Sequence, residues 1–471
     1  MAHRFHPTVL REYDIRGIIG ETLGPDDARA IGRGFATLLR RAGGKLVAVG
    51  YDGRVSSPML EHALIEGLTA SGCDVRRVGM GPTPMLYYAE ASADEVDGGI
   101  QITGSHNPAN YNGFKLVFQG RPFFGEDIQE IGRLAAEGDW ADGTGSVETQ
   151  EVLDAYIDRL VSALDGIYPY LLDSMRVGWD AGNGAAGPAL EALVARLPGE
   201  HFTLYTEVDG NFPNHHPDPT VPENLEDLRR LVADKQLDFG IAFDGDGDRI
   251  GAVDGSGRII WGDQLLMIFA EDLLQSRPGS MIIADVKASR ALFDRIAELG
   301  GKPLMWKTGH SLIKSKMQET HAPLAGEMSG HIFFADDYFG FDDALYAAVR
   351  LIAASARLGR SVTELRGAMP PMVNTPELRF QVDESRKFAA IDEVKQRLKQ
   401  AHAPRDISVD DTDGVRVTTP DGWWLLRASN TQDVLVARAE SYNQAGLDRL
   451  LHQIDEQLAA SGLERGPQAA H

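Results

Sequence analysis

The sequence holds a single cysteine, Cys73, in 471 residues. No intrachain disulfide and no cysteine-rich metal centre can form, so disulfide scaffolds and thiolate metal sites drop out together. Cys73 is expected as a small buried apolar residue, and the near-absence of thiols fits a reducing cytoplasm, the localisation expected here. Long apolar runs are also lacking. No stretch approaches the roughly 18 to 20 residues that a bilayer-crossing helix needs, and MAHRFHPTVLREYD at the start lacks the basic-then-apolar layout of a secretory leader. Basic charge is scarce as well: 46 Lys and Arg stand against 69 Asp and Glu, a formal net charge of −23. Neither nucleic acid nor a membrane is expected as a partner. What remains is a globular chain, 43% hydrophobic, of a length that accommodates about two to four domains.

Against that background the stretch ITGSHNPANYNGFK, residues 102 to 115, stands out. The apolar run closing on Ile102 and Thr103 reads as a strand, and Phe114 to Phe118 as another. Between them Gly104 permits close backbone approach, while Pro108, Asn110, Asn112 and Gly113 forbid a helix. Ser105 is therefore held at a loop tip as a candidate nucleophile, and Lys115 returns on the next strand to meet it. An ordinary polar hairpin is the alternative.

The second signal is FDGDGDR, residues 243 to 249. Asp244, Asp246 and Asp248, separated by glycines, can turn onto one point and enclose a hard divalent cation, which their mutual repulsion requires. An EF-hand is excluded, because Arg249 and Gly255 stand where its sixth-position glycine and twelfth-position glutamate belong. A solvated acidic turn is the competing reading. A third pattern, GNGAAG at 182 to 187, follows a strand and precedes a helical run, with Glu207 further on, and so imitates a dinucleotide-binding turn. No second nucleotide or hydride-transfer signal accompanies it, and tight strand-to-helix packing needs the same glycines. His215 and His216, in the proline-rich stretch 209 to 225, are read as part of a structured loop, since adjacent histidines point in different directions.

Five further stretches carry polar groups, most of them at the ends of apolar segments. REYDIRG (11–17) is neither clearly helix nor strand, and Arg16 reads there as a surface ion pair. SMIIADVKAS ends in a loop with Lys287. KTGHSLIKSKM opens a basic helix at His310, and GEMSGHIFF offers Glu327, Ser329 and His331 from one turn, a donor and acceptor set suited to sugar hydroxyls. Near the C-terminus VRVTTPDGWWLLRASN and TQDVLVARAES read as a hairpin-like pair of strands. The turn RASNT between them, with Arg427, Ser429, Asn430 and Thr431, can cradle a phosphate.

TGSHNP followed by YNGFK resembles the active-site serine loop of the alpha-D-phosphohexomutases, in particular the bacterial phosphomannomutase/phosphoglucomutase group. The aspartate, KTGHSLIK, GEMSGH and RASNT motifs follow in the family order. The resemblance implies an α/β fold: three related α/β domains with mixed sheets, plus a smaller C-terminal α+β domain, around a central cleft. We divide the chain at 1–150, 151–258, 259–373 and 374–471, holding the serine, metal, sugar and phosphate loops in turn. It further implies reversible interconversion of hexose 1-phosphate and hexose 6-phosphate, mannose or glucose, through phosphorylated Ser105 and a 1,6-bisphosphohexose.

By the same resemblance Mg2+ sits on Asp244, Asp246 and Asp248 with a phosphoserine oxygen of Ser105, and hexose 1,6-bisphosphate serves as activator. Lys115 and His310 become proton-transfer candidates, and Arg16 and Arg249 border the reacting phosphate. Tyr13, Lys287, Glu327, Ser329 and His331 contact the sugar phosphate, while Arg427, Ser429, Asn430 and Thr431 hold its distal phosphate. Many relatives place a proline just after that threonine, where Gln432 and Asp433 stand here. Met328 favours hexose over aminosugar phosphates. The alternatives carried forward are a metal-dependent sugar-phosphate phosphatase and an aminosugar phosphate mutase. The protein is expected as a monomer or weak homo-oligomer.

Overall fold

The computed structural model describes residues 2–400, 406–429 and 433–466. Its first three sheets repeat one topology. In the first, Leu46–Tyr51 lies parallel to Asp74–Met80 on one side and to Gly98–Ile102 on the other, and Tyr111–Phe118 adds antiparallel to the latter. In the second, Arg176–Asp180 lies between Glu200–Leu204 and Phe239–Phe243, and Ile250–Asp254 closes antiparallel. The third sets Met281–Asp285 between Lys302–Trp306 and Leu324–Gly326, with Ile332–Phe334 antiparallel. The order is the same each time, and the turn joining the third strand to its antiparallel partner is the serine loop, the aspartate loop and the GEMSGH loop in succession. Such turns open at the carboxyl ends of parallel strands, where open α/β sheets place their ligands.

Ile15–Ile18 adds to the first sheet, antiparallel to Tyr111–Phe118. REYDIRG is thus partly a strand, and Arg16 is not a surface residue. Both faces of this strand are covered, one by apolar core and one by the serine loop, so the alternation that marks a half-exposed strand is missing. One large core continues through all three units, with Leu86, Trp179, Leu190, Phe269, Ile282 and Leu351 among its members. The helix Ala344–Leu358 is buried along nearly its whole length, as expected of a helix that is apolar all round. Cys73 is buried in the first core, and burial pushes its thiol up to about 12.

Asp343 caps that central helix, accepting from the Tyr346 amide at 2.8 Å and from the hydroxyls of Tyr156 and Tyr338. Burial pushes its carboxyl up to about 6, above the unfolded value of about 3.9. A raised folded pKa means that the folded chain holds this proton more tightly. The stabilisation is therefore complete below about pH 4 and is lost as pH rises through 6. Asp343→Asn should abolish that slope: its stability deficit against wild type, read from urea midpoints, should shrink by about 2–3 kcal/mol between pH 4 and pH 7.5. An equal deficit at both pH values would contradict the assignment.

The last unit is an antiparallel sheet covered on one face by the helices Glu384–Gln400 and Gln444–Ala460. Where the sequence suggests a pair of strands there are three, Val415–Thr419, Gly422–Ala428 and Val434–Ser441. The cause is the Pro420–Asp421 turn, closed by Gly422 at φ +139°. Alternation along these strands sends Trp424 and Leu426 into the unit's own core and Arg416, Trp423, Arg438 and Glu440 toward the third unit. There Arg416 donates to the carbonyls of Val286 and Ala288, and Glu440 accepts from Ser289 and the Arg290 amide. The segment carrying Lys287 is thereby clamped to the C-terminal unit. Among the described residues no helix is long and apolar enough to cross a membrane.

Candidate active site

Residues from all four units line one cavity of about 910 Å³. Ser105 stands at its floor with φ +50°, a left-handed backbone that costs a side-chain-bearing residue roughly 1–2 kcal/mol. Its Oγ donates to Asp244 Oδ2 at 3.0 Å and lies 3.2 Å from His106 Nδ1. The strained loop is held from behind. Asp52 accepts from Thr103 Oγ1 and the Gly104 amide, and the buried Arg54 guanidinium donates to carbonyls along the loop. Gly104 is required by that packing, since a Cβ there would lie 2.4 Å from the guanidinium. Arg16 pairs with Asp14 and also reaches the Gly104 carbonyl and the Asn107 side chain.

Asp244, Asp246 and Asp248 are fully buried and converge, so the solvated acidic turn is excluded. Asp244 Oδ1 accepts from the backbone amides of Asp248 and Arg249, and Asp246 accepts from the Thr83 hydroxyl at 2.5 Å. Lys115 Nζ bridges Asp246, at 2.7 Å, and Asp248. Burial and the two neighbouring carboxylates push Asp244 well above the usual carboxylate range. Burial works against charge on Asp246 too, but Lys115 outweighs it and holds that carboxyl low. Lys115 in turn is pushed up by Asp246 and Asp248 in spite of its burial. Three carboxylates against one ammonium leave a negative excess in a dry place, and the Oδ1 atoms of Asp246 and Asp248 have no hydrogen-bond partner. A hard divalent cation with oxygen ligands fits this donor set.

The GNGAAG turn packs against this loop, and that packing accounts for its central glycine. Ala185 N donates to Gly245 O at 2.9 Å, and a Cβ on Gly184 would lie 2.8 Å from the same carbonyl. Gly182, at φ +54°, lies under Pro217 of the 209–225 loop. His215 donates toward Asp180 at 2.9 Å while His216 faces the cavity. The two histidines diverge, and neither belongs to a metal-binding cluster among the described residues.

On the sugar side Glu327 accepts from the Gly309 amide at 2.6 Å and from Ser329 Oγ at 2.9 Å. His331 and His310 stack with ring centroids 5.6 Å apart. The Arg249 guanidinium, which can only donate, lies 3.0 Å from His331 Nε2, so Nε2 is the accepting nitrogen and Nδ1 carries the proton. Nδ1 faces Asp342 Oδ2 at 2.9 Å, and Lys314 holds the other Asp342 oxygen at 3.0 Å. Burial, reinforced by Lys314, lowers His310 well below the usual histidine range and keeps it neutral.

At the far end Arg427 pairs with Asp413 at 3.0 Å, Lys287 with Glu377 at 3.0 Å, and the Tyr13 hydroxyl donates to Thr308 O. Tyr13, Arg16, Ser105, Lys115, Arg249, Lys287, His310, Glu327, Ser329, His331, Arg427 and Ser429 all line the cavity, with the three aspartates beneath Ser105 and Lys115. Asn430, Thr431 and Gln432 lie outside the described residues. Sequence reasoning missed Asp52, Arg54, Thr83 and Asp342. Each acts through contacts with segments remote in the chain, and YDGR before a helix was the one visible hint, for the first two.

The chain matches four family models in order: Phosphoglucomutase/phosphomannomutase, alpha/beta/alpha domain I over residues 7–142, domain II over 154–257, domain III over 261–372, and the C-terminal domain over 377–457. A phosphomannomutase/phosphoglucomutase of Pseudomonas aeruginosa is 46% identical over 453 residues, 96% of each chain. A phosphoglucomutase of Neisseria gonorrhoeae is 44% identical, over 94% of this chain and 95% of the relative. The crystal structure of a phosphoglucomutase/phosphomannomutase family protein from Burkholderia thailandensis superposes with a TM-score of 0.90 at 44% identity, covering 97% of this chain and 98% of that one. On fold, motifs and full-length similarity together, the chain belongs to the phosphoglucomutase/phosphomannomutase family.

Proposed function

We propose that the protein is a phosphohexomutase, an isomerase that interconverts hexose 1-phosphate and hexose 6-phosphate of mannose, glucose or both. The observation that carries this reading is the placement of Ser105 Oγ 3.0 Å from Asp244, at the floor of a cavity that the sugar-loop and phosphate-loop residues also face. The similarity to relatives named for this activity supports it and favours neither the phosphatase nor the aminosugar alternative.

In this reading the phosphorylated Ser105 faces the free hydroxyl of a hexose monophosphate. The hydroxyl oxygen takes the phosphoryl group as the Oγ–P bond breaks, and its proton passes to a neutral imidazole. His310, held neutral by its burial and by Lys314, suits that task. Lys115 serves as a fixed positive charge, because its raised pKa makes it a poor base. Mg2+ held by Asp244, Asp246 and Asp248 with a phosphoserine oxygen would offset charge on the transferring group. The 1,6-bisphosphohexose then turns over in the cavity, and its other phosphate returns to Ser105. Glu327 and Ser329 hold the sugar hydroxyls in both orientations, while Arg427, Ser429, Asn430 and Thr431 hold the distal phosphate. The domain limits read from the sequence remain our division of the chain.

Phosphorus NMR tests the reading. Protein supplied with mannose 6-phosphate or glucose 6-phosphate, Mg2+ and a trace of hexose 1,6-bisphosphate should build up a hexose 1-phosphate resonance. Inorganic phosphate as the sole product would establish a phosphatase instead.

A further inference from the structure

A buried cation beneath the serine loop takes no direct part in the chemistry. Arg54 is 2% exposed and does not face the cavity. It nonetheless spends its guanidinium entirely on the serine loop: one terminal nitrogen donates to Ser105 O at 2.8 Å and Asn107 O at 2.6 Å, the other to Pro108 O at 2.6 Å and Tyr111 O at 3.0 Å. Its Nε lies 3.2 Å from Asp52, the carboxylate that also fixes Thr103 and Gly104. One planar fork thus meets four carbonyls of a loop whose central residue sits at positive φ. A lysine cannot copy this, because its ammonium offers three donors from a single point.

The guanidinium also covers the ring of Phe212 at 5.3 Å, and Gly210 packs so close that a Cβ would stand 2.8 Å from Arg54 Cα. Both belong to the 209–225 loop of the second unit, which brings His216 and Asp218 to the cavity wall. We propose that Arg54 is a positioning residue for phosphoryl transfer: it fixes the strained Ser105 loop without touching the sugar phosphate, and through Phe212 it sets that loop against the second unit. The proposal rests on the mutase reading.

It is distinguished from a merely structural role by where the phosphoryl group goes. In the side reaction the Ser105 Oγ–P bond breaks, a water oxygen takes the phosphoryl group, and a proton from that water goes to Oγ. A misplaced phosphoserine should lose ground to this leak. Arg54→Lys should lower kcat about 30- to 100-fold, leave KM for the hexose phosphate within about threefold, and raise inorganic phosphate released per mutase turnover at least about tenfold. Ile131→Ala, a cavity-making change in the core of the same unit, should leave that ratio at the wild-type value. If Arg54→Lys does not fold, Phe212→Leu should still raise the leak about threefold. Wild-type kcat and leak in Arg54→Lys, an equal rise in Ile131→Ala, or an unchanged leak in Phe212→Leu would each overturn the inference. A wild-type protein that makes no hexose 1-phosphate would instead remove the mutase reading, and this inference with it.

Discussion

Alanine in place of Ser105 should lower mutase turnover about 10⁴-fold or more, while hexose phosphate binding stays within about threefold of wild type. The loss is chemical, because among the described residues no other hydroxyl is aimed at the aspartate cluster in a way that could replace it. Thr103 Oγ1 is turned away to Asp52 at 2.8 Å, and Thr83 Oγ1 is committed to Asp246. Binding survives because Arg16, Lys287 and Arg427 keep their places on other elements. Ser105→Gly separates chemistry from backbone strain, since glycine takes φ +50° without cost. Both variants should be equally inactive by the coupled or NMR assay. A glycine variant that keeps more than about 1% of wild-type turnover would show that Ser105 is not the phosphoryl carrier.

Methionine in place of Lys115 should be the second most damaging change, and it acts on stability as well as rate. The ammonium compensates two fully buried carboxylates, Asp246 and Asp248, and removing one partner of a buried ion pair costs roughly 3–5 kcal/mol. That cost should appear in full in chelator. Mg2+ at a hundredfold excess over Kd adds about 2.7 kcal/mol to variant and wild type alike, so the deficit between them shrinks only as far as the variant binds the metal more tightly. Turnover should stay at least about 100-fold down even with metal, because the fixed charge beside the transferring group is gone. Denaturation curves with chelator and with Mg2+, beside kcat, check this. A stability loss under about 1 kcal/mol in chelator, or full turnover restored by metal, would contradict the role given to Lys115.

The parts of this site that could be read in the sequence are those where chemistry and local geometry coincide in a few consecutive residues. Ser105 with its glycine and proline, the three alternating aspartates and the GEMSGH turn each occupy the same connection of a repeated sheet, so a strand ending in a polar turn was enough to find them. Resemblance added the roles. What stayed hidden depends on contacts between distant segments. Asp342 follows an aromatic run and precedes a buried helix, and nothing local says that its carboxylate meets His331 and Lys314. Arg54 looks like any arginine at a helix entrance until the serine loop folds over it. For Arg16 the local pattern suggests only a surface ion pair, because a strand covered on both faces has no alternation to betray it, and the resemblance alone places it at the cavity it lines. The GNGAAG turn is the converse case: a nucleotide-like pattern in which Gly184 is required by the aspartate loop crossing above it, Gly187 by the close approach of the Thr206 carbonyl, and Gly182 by its positive φ under Pro217.

The proposed mechanism turns on Ser105 as the carrier of the phosphoryl group. Protein treated with hexose 1,6-bisphosphate and freed of small molecules should carry one phosphate, on the peptide containing Ser105 by mass spectrometry. Addition of a hexose 6-phosphate should then move that phosphate onto the sugar as 1,6-bisphosphate, with little inorganic phosphate formed. Phosphate found on another residue, or released to water in place of the sugar, would contradict the account.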